Sequence, residues 1–222
     1  MTALIQFEHV TKKYGKKEAL NDISFTIEPG KIYGLLGPNG SGKSTTIKII
    51  NDLLQPTSGN VLVNGAAPGV ESKKIISYLP DRNYLSDWMR VEDTFKLFGD
   101  FYEDFDRQRA EEMLKSLNID EKARLKTLSK GTLEKVQLIL IMARRAKLYI
   151  LDEPIAGVDP AARDYILQTI LNNYGEDSSI LISTHLITDI EKILDEVLFI
   201  QNGKLVLQGA VDDIRAEHGK SI

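Results

Sequence analysis

A glycine-rich run, GPNGSGKST at residues 37–45, is the feature that most restricts how this chain can fold. It fits the pattern GxxxxGK[ST]. It lies between an apolar run, KIYGLL, and a segment with apolar residues at helical spacing, TTIKIINDLL. Strand, loop and helix in this order form a phosphate-binding loop, because backbone N–H groups and a helix N-terminus then face the phosphate oxygens. We therefore predict that phosphate binds at this loop.

The positions of this loop have different predicted roles. The glycines let the backbone turn tightly and approach the phosphate closely. Lys43 is predicted to neutralise the terminal phosphates, and Ser44 to bind Mg²⁺. The predicted nucleotide-binding residues of the loop are Gly37, Pro38, Asn39, Gly40, Ser41, Gly42, Lys43, Ser44 and Thr45.

Composition and charge limit the class of protein. The 222 residues include 28 basic and 32 acidic ones, which gives a formal charge of -4. Nucleic-acid-binding proteins typically have an excess of basic residues, which this chain does not have. The densest basic cluster, KKYGKK at residues 12–17, is predicted to be a solvated loop. The chain has no cysteine, which excludes disulfides and fits a reducing compartment. No apolar run approaches the length of a membrane span, so we expect a soluble protein with no nucleic-acid partner.

Changes in hydrophobic periodicity indicate an α/β core with an inserted helical segment. LIQFEHV, ISFTIEP and NVLVNG alternate apolar and polar residues and predict an antiparallel sheet. LYILDEP and SILISTH are typical of buried parallel strands, and VLFIQNGKLVLQG predicts a closing hairpin. We predict a single domain over residues 1–222. Residues 1–85 and 147–222 would form a mixed sheet with a parallel centre plus an antiparallel β subdomain, and residues 86–146 a helical subdomain.

Aromatic side chains recur three or four residues apart within the helical segment. This spacing places them on one helical face, which favours a role in the hydrophobic core. A surface that docks a partner is the alternative. The residues are Phe95, Phe98, Phe101, Tyr102 and Phe105.

Two of the apolar strands end in side chains suited to phosphate chemistry. Asp152 and Glu153 follow the strand LYIL, at the edge where a nucleotide-binding sheet holds its metal ion. We predict that Asp152 holds Mg²⁺ and that Glu153 is the general base for the attacking water. His185 ends the next strand and is predicted to contact the terminal phosphate. A polar strand boundary and a structural histidine are the alternatives.

These motifs together resemble the ATP-binding subunit of ABC transporters over essentially the whole chain. The phosphate loop, LYILDEP, AGVD at residues 156–159 and STH at residues 183–185 occur in the order and spacing of that family. The resemblance is greatest to ATPases that serve drug or peptide exporters. It implies a P-loop NTPase fold, ATP and Mg²⁺ as ligands, and ATP hydrolysis coupled to transport, with export favoured.

The resemblance also implies partners and a location. A second ATPase subunit, identical or related, would complete the ATP sites, and integral membrane permease subunits would carry the substrate. The chain would then lie at the cytoplasmic face of the cell membrane. Tyr14 matches the residue that stacks on adenine, and Asp159 would carry information across the interface between subunits.

LSKGT at residues 128–132 matches the family's signature sequence LSGGQ, which contacts the ATP held by the second subunit. We call Ser129, Lys130 and Gly131 the signature loop. Lys130 replaces a glycine, and either adds a cation near the phosphates or points to solvent. A second departure is Asp81, which replaces a glutamine that links magnesium to the transport subunit. We expect Asp81 to remain a metal-side ligand and a relay, against the alternative of a solvent-facing residue.

The same residues are compatible with two other functions. A soluble ABC-type ATPase could remodel a macromolecule, although such proteins usually pair two modules or carry long coiled-coil insertions. A regulatory subunit could bind ATP without efficient hydrolysis, because the signature loop and position 81 are both altered. The intact set of Lys43, Asp152, Glu153 and His185 argues against the regulatory function.

Overall fold

The computed structural model of the protein describes residues 3–156, 160–175 and 177–218. The strands are β1 (Ile5–Tyr14), β2 (Lys17–Ile27), β3 (Ile32–Leu36), β4 (Ser58–Val63), β5 (Ile76–Leu79), β6 (Leu148–Asp152), β7 (Ser179–Thr184), β8 (Glu196–Gln201) and β9 (Lys204–Ala210). The helices are α1 (Lys43–Ile50), α2 (Val70–Ile75), α3 (Val91–Phe101), α4 (Arg107–Ser116), α5 (Lys130–Met142), α6 (Pro160–Asn173), α7 (Ile187–Ile190) and α8 (Val211–His218). A short 3-10 helix spans Leu125–Thr127.

The central sheet has six strands in the order β5-β6-β7-β3-β8-β9. Its strands are parallel except for β9, which pairs antiparallel with β8 through the turn at Asn202. The predicted mixed sheet with a parallel centre and a closing hairpin is thus confirmed. Strand order changes direction around β3, so the loop after β3 lies at the crevice where such sheets bind ligands.

Both faces of this sheet are covered, which explains its continuous apolar strands. In β6, Leu148 and Ile150 belong to the core shared with α1 and the antiparallel sheet. Tyr149 and Leu151 point to the opposite core, shared with α3, α5 and α6. Because side chains alternate along a strand, a sheet with two buried faces needs apolar residues at every position.

The antiparallel sheet has three strands in the order β2-β1-β4 and confirms the second predicted sheet. The prediction of a solvated loop over residues 12–17 was wrong for most of that segment. Cross-strand pairing continues to Tyr14 and Lys17, and the turn closes at Gly15 with φ of 57°. An ion pair of 2.6 Å between Lys13 and Glu18 accompanies this pairing, so opposite charges across the strands support the extended hairpin.

Helices α3, α4 and α5 lie between β5 and β6 in the chain, within the segment predicted to be helical. Phe95 and Phe98 are buried, and both rings contact Phe105, with centroids 6.2 and 5.7 Å from it. Phe101 differs, since 75% of its surface is exposed. The aromatic residues therefore form core as predicted, with Phe101 as an exception. Among the described residues, no helix has the length and apolar character needed to cross a bilayer.

Candidate nucleotide-binding site

Three adjacent parallel strands bring the predicted site residues to one edge of the central sheet. In the registers of β3 with β7 and β6 with β7, Leu36 pairs with Thr184 and Asp152 with Ser183. The residues that follow these strand ends are the phosphate loop, Glu153 and His185. Parallel pairing therefore places the three predicted chemical groups together, as expected for the carboxyl edge of such a sheet.

Close packing requires glycine at two positions of the phosphate loop, Gly37 and Gly42. Gly37 has φ of 145°, and a Cβ there would lie 2.1 Å from the carbonyl oxygen of Ile200. Gly42 has φ of 124°, and a Cβ there would lie 2.8 Å from the carbonyl oxygen of Ala19. Any side chain would push the loop away from β8 and β2. The conformation that exposes the loop's N–H groups thus depends on glycine at both positions.

Lys43 begins helix α1 and is only 5% exposed. Its ammonium group donates to the carbonyl oxygen of Gly37 at 2.8 Å and lies 3.2 Å from Oε1 of Glu153. A buried ammonium group needs such partners, because its desolvation is costly. Phosphate oxygens bound in the loop would offer the same negative charge in place of the glutamate.

Asp152 ends β6 and is 1% exposed. Its Oδ1 accepts hydrogen bonds from Ser183 Oγ and, at 3.4 Å, from Ser44 Oγ. Its Oδ2 is buried and, among the described residues, has no hydrogen-bond partner. Burial raises the pKa of Asp152 above its usual value, and the charges of Asp81 and Glu153 raise it further, while the bonds from Ser183 and Ser44 oppose the shift.

The surroundings of Asp152 fit a magnesium ion. Mg²⁺ prefers carboxylate, hydroxyl and water oxygens, and it is held in phosphate-transfer sites by one or two protein ligands. Asp152 offers a desolvated carboxylate with one free oxygen, and Ser44 offers a hydroxyl next to it. A divalent cation would satisfy the orphaned oxygen and offset the cost of the buried charge.

Glu153 lies between two of the other predicted site residues. Its Oε1 faces Lys43, and its Oε2 lies 3.0 Å from Nδ1 of His185. The residue has φ of 53°, a left-handed conformation that is rare for residues other than glycine. Backbone strain of this kind costs on the order of 1–3 kcal/mol and concentrates at functional sites. The turn directs the carboxylate away from the end of β6 and toward the phosphate loop.

Ser183 is a site residue that the sequence reasoning did not single out. It is fully buried, donates to Asp152, and accepts a hydrogen bond of 3.1 Å from the backbone N–H of Glu153. It thereby fixes both predicted carboxylate residues relative to β7. The available signal was a hydroxyl residue inside the otherwise apolar strand SILIST, since a buried polar side chain needs partners.

Comparison with known proteins identifies the family. The sequence profile described as ABC transporter matches residues 20–156, which is more than half of the chain. The chain belongs to the ABC transporter family. The matched residues include the phosphate loop and the strand that ends in Asp152.

The proteins similar to this chain align with more than nine-tenths of its length. The SkfA peptide export ATP-binding protein SkfE of Bacillus subtilis is 31% identical over 91% of this chain and 87% of its own length. The linearmycin resistance ATP-binding protein LnrL of Bacillus subtilis is 30% identical over 97% of this chain and 72% of its own length. A solved structure of the ATP-binding subunit of an ABC transporter has a TM-score of 0.88 and 28% identity, covering 97% of this chain and 93% of that one.

Tyr14 lies at the end of β1, in the antiparallel sheet of the ABC domain, with 49% of its surface exposed. The ammonium group of Lys12 lies 5.4 Å from the centre of its ring. This sheet contacts the phosphate loop, because Ala19 and Leu20 of β2 pack against Gly42. An exposed aromatic ring on an element that touches the loop can stack on a base.

The signature loop of this ABC domain is open to solvent. Ser129 is exposed and caps α5 by accepting from the N–H of Thr132 at 3.2 Å. The side chain of Lys130 is 78% exposed and lies 3.8 Å from Oε1 of Glu134. A Cβ at Gly131 would meet nothing within 4 Å. The structure therefore leaves these three residues accessible to a second molecule. Asp159 lies outside the described residues.

Asp81 is exposed and lines a cavity of about 390 Å³ beside the predicted catalytic residues. Lys130, Glu153 and His185 line the same cavity. The carboxylate of Asp81 contributes to raising the pKa of Asp152, and the two groups belong to one electrostatic cluster. Asp81 therefore lies in the same solvent-open cavity as Glu153 and His185, and its role toward a metal ion stays a prediction.

Proposed function

We propose that this ABC domain hydrolyses ATP and drives transport through separate membrane-spanning subunits, in the direction of export. The observation that carries the proposal is the cluster of Lys43, Asp152, Glu153 and His185 at one edge of the central sheet. The similarity to a peptide export ATP-binding protein favours export over remodelling of a macromolecule. The intact cluster favours a catalytic over a regulatory subunit.

Binding of ATP would redistribute the partners of Lys43. Its ammonium group contacts Glu153 at 3.2 Å, and the terminal phosphates of ATP compete for the same positive charge. Once the phosphates occupy Lys43, the glutamate carboxylate is free to accept a proton from a water molecule. When phosphate replaces Glu153 as the partner of Lys43, nucleotide binding therefore also activates the base. His185 lies 3.0 Å from the other carboxylate oxygen and orients Glu153. With both of its ring nitrogens protonated, it would donate one N–H to Glu153 and the other to the terminal phosphate.

Asp152 and Ser44 would hold Mg²⁺, with Asp81 on the side of the cavity nearest to the membrane partner. When bound, the metal neutralises charge on the phosphate oxygens during transfer. Ser183 keeps Asp152 in position by its hydrogen bond, and the remaining carboxylate oxygen is available for the ion or its water. Asp81 adds a second carboxylate beside that of Asp152, at a position where the family pattern has the neutral side chain of glutamine.

The second half of the ATP site would come from another ATPase subunit. Ser129, Lys130 and Gly131 of one subunit would contact the phosphates bound by its partner, and Tyr14 would stack on the adenine. Support comes from the exposure of the signature loop, whose Lys130 side chain is 78% accessible. Asp159 would lie at the interface between the subunits. Binding of two ATP molecules closes the pair, and hydrolysis opens it.

A groove next to Asp81 would receive a cytoplasmic segment of a membrane subunit. It has a volume of about 610 Å³ and is lined by aromatic rings, with Lys48, Lys73 and Arg82 among its polar residues. An apolar floor with charged groups around it suits an amphipathic helix. The rings are Tyr78, Tyr84, Phe98 and Tyr102. This contact would hold the chain at the cytoplasmic face of the membrane.

The two-subunit site is tested by Glu153→Gln. We expect turnover to fall by at least about 100-fold, because a positioned general base contributes a factor of this size. ATP affinity should be kept, and light scattering should show a dimer that forms with ATP and Mg²⁺. Glu112→Gln, on the exposed surface of α4, is the control and should behave like the native chain. Steady-state hydrolysis at the native rate by Glu153→Gln would refute the assigned base.

The groove is tested by co-expressing the chain with membrane proteins encoded by its neighbouring genes and measuring how much of the chain is recovered with membranes. Tyr84→Asp should release the chain from purified membranes, because it places a charge among aromatic rings. Val206→Asp is the matched control, since Val206 is 54% exposed on β9, at the opposite edge of the central sheet. Equal membrane recovery of both variants would contradict docking in the groove.

A further inference from the structure

Tyr14 lies on the part of the antiparallel sheet that has only two strands. Strand β4 pairs with β1 as far as Thr11, and the register of β1 with β2 continues to Tyr14, next to the turn at Gly15. A hairpin of two strands is marginally stable by itself, so the position of its tip depends on further contacts. The half-exposed ring of Tyr14 therefore needs a partner that fixes its orientation.

Lys12 covers one face of this ring. Its ammonium group lies over the ring of Tyr14, 5.4 Å from the ring centre. A cation within about 6 Å of an aromatic ring centre is attracted by the negative face of the ring. The two residues are two positions apart on β1, so their side chains leave the same face of the strand. With the ammonium group over one face, the other face of the ring is the one open to a base.

The ammonium group of Lys12 is itself anchored to the loop that follows helix α1. It donates to the carbonyl oxygen of Gln55 at 2.7 Å. The side chain of Gln55 donates to Oδ1 of Asp52 at 2.8 Å, and Oδ2 of Asp52 lies 3.3 Å from the ammonium group of Lys73. These contacts hold the acceptor of Lys12, and with it the ammonium group, beside the ring.

Two further hydrogen bonds join the same loop to β1. The N–H of Thr57 donates to the carbonyl oxygen of Thr11 at 2.8 Å, and the N–H of Lys13 donates to Oγ1 of Thr57 at 3.0 Å. Thr11 and Lys13 flank Lys12 in the strand, so the loop contacts β1 on both sides of this lysine. The loop after α1 therefore fixes both the backbone of Lys12 and its ammonium group.

The partners of Lys12 differ from those of Lys43. Lys43 lies 3.2 Å from the carboxylate of Glu153, whereas Lys12 contacts a neutral carbonyl oxygen and an aromatic ring. The partners described for Lys12 carry no formal charge, so its positive charge remains available to the π electrons of Tyr14. This set of contacts suits a residue that orients a ring, and it differs from the set around the lysine that faces the phosphates.

We propose that Lys12 is a positioning residue that fixes the ring of Tyr14 for stacking on the purine base of the nucleotide. The inference rests on the proposed stacking of Tyr14 on adenine. The ammonium group orders the ring before the nucleotide binds, which lowers the entropy cost of stacking. Its charge also offsets the negative face of the ring, which favours contact with the electron-rich face of a purine. Lys12 acts through Tyr14 and contacts no phosphate.

The test compares ATP with inorganic tripolyphosphate, which has the phosphates but no base. Isothermal titration uses Glu153→Gln as the parent, so that ATP is not hydrolysed. Adding Lys12→Met, which keeps a long side chain without its charge, should weaken ATP binding about threefold and leave tripolyphosphate binding unchanged. Lys12→Arg keeps a cation over the ring and should retain the affinity of the parent. Lys16→Met removes an exposed lysine at the hairpin turn and is the matched control for charge.

A double-mutant cycle identifies the route by which Lys12 acts. Tyr14→Leu should weaken ATP binding, and adding Lys12→Met to it should cause no further loss, because the ring is absent. The role of Lys12 would be overturned by parental ATP affinity in Lys12→Met, by equal losses for ATP and tripolyphosphate, or by a further loss in the double variant. Each of these results would leave stacking by Tyr14 intact. Parental ATP affinity in Tyr14→Leu would instead refute the stacking, and the role of Lys12 with it.

Discussion

The phosphate loop and the signature loop are the two halves of the proposed ATP site, and they differ in how far the single chain builds them. Lys43 and Asp152 are 5% and 1% exposed, and each is held by neighbours from the central sheet or the loop. Ser129 and Lys130 are exposed, and the only ion pair described for Lys130 is a loose one of 3.8 Å to Glu134. One half is therefore preformed, whereas the other is an open surface.

This difference has an energetic cause. Preformed electrostatic groups accelerate chemistry because they need no reorganisation during the reaction, but burying them costs stability. The phosphate-loop half of the site loses stability in this way, because Asp152 has a buried oxygen without a hydrogen-bond partner among the described residues and Glu153 has a left-handed backbone conformation. The exposed half has no such cost in the single chain, and in the proposed two-subunit site it would be desolvated only when a second subunit covers it. Hydrolysis can then be controlled by association.

The largest expected effect comes from the buried half. Lys43→Ala should lower both ATP affinity and turnover, turnover by at least about 100-fold, because a desolvated cation facing the phosphates is lost. Isothermal titration and a phosphate-release assay measure the two quantities. Lys48→Ala removes an exposed lysine five residues later on the same helix, and the isolated chain should keep its turnover. Comparable losses in both variants would indicate a general effect of charge.

A mixing experiment separates the two halves directly. Ser129→Ala should lower turnover about tenfold through loss of one hydroxyl contact to phosphate. Mixed with Lys43→Ala, it forms pairs in which one site has an intact Lys43 and an intact Ser129 from different chains. In an equimolar mixture, about a quarter of the native rate should return if the chains form a symmetric homodimer with independent sites. A mixture no more active than its components would show that the halves do not meet between two copies of this chain.

Removing the buried charge should stabilise the protein while it abolishes metal binding. The raised pKa of Asp152 means that its charged form is disfavoured in the fold. The cost is absent below the ordinary aspartate pKa and is complete above the raised one. Asp152→Asn should therefore add about 1 kcal/mol at neutral pH, or about 2–4 °C in Tm.

Mg²⁺ provides the matching control for this stability change. Mg²⁺ should raise the Tm of the native chain and leave the Tm of Asp152→Asn unchanged, because only the native aspartate offers a free carboxylate oxygen. Asp212→Asn alters an aspartate whose side chain is 96% exposed, and it should shift Tm by less than 1 °C, as surface substitutions usually do. A lower Tm for Asp152→Asn than for the native chain would contradict the cost assigned to burial.

The buried half could be predicted from the sequence because local patterns specify it. Positive-φ glycines and an apolar strand fix the phosphate loop, and continuous apolar runs fix the parallel strands that end in Asp152 and His185. Contacts between distant segments could not be read in the same way. No periodicity in the sequence pairs Ser183 with Asp152 or Gln137 with Asn83, since parallel register and helix packing bring them together.

The wrong expectations also have physical causes. The basic segment at residues 12–17 was expected to be a loop from its charge, but the backbone pairing of β1 with β2 continues to Tyr14 and Lys17, and Glu18 places an opposite charge beside Lys13. Phe101 follows Phe98 by three residues, but it lies about 120° around the helix axis from Phe95, whereas Tyr102 stays on the buried face and packs against the core. Spacing predicts which face a residue shares, whereas coverage of that face depends on the surrounding fold.

The smallest expected effect concerns Lys130, the unusual residue of the open half. Because its side chain is 78% exposed and its ion pair is loose, Lys130→Gln should change the free energy of unfolding by less than about 0.5 kcal/mol. At low salt it should weaken ATP-dependent dimerisation of the Glu153→Gln parent about threefold, and this difference should vanish at high salt, where charges near the surface are screened. Lys126→Gln, an exposed lysine four residues earlier, is the control and should leave dimerisation unchanged. Equal dimerisation of both variants at low salt would mean that Lys130 points to solvent even when the two halves meet.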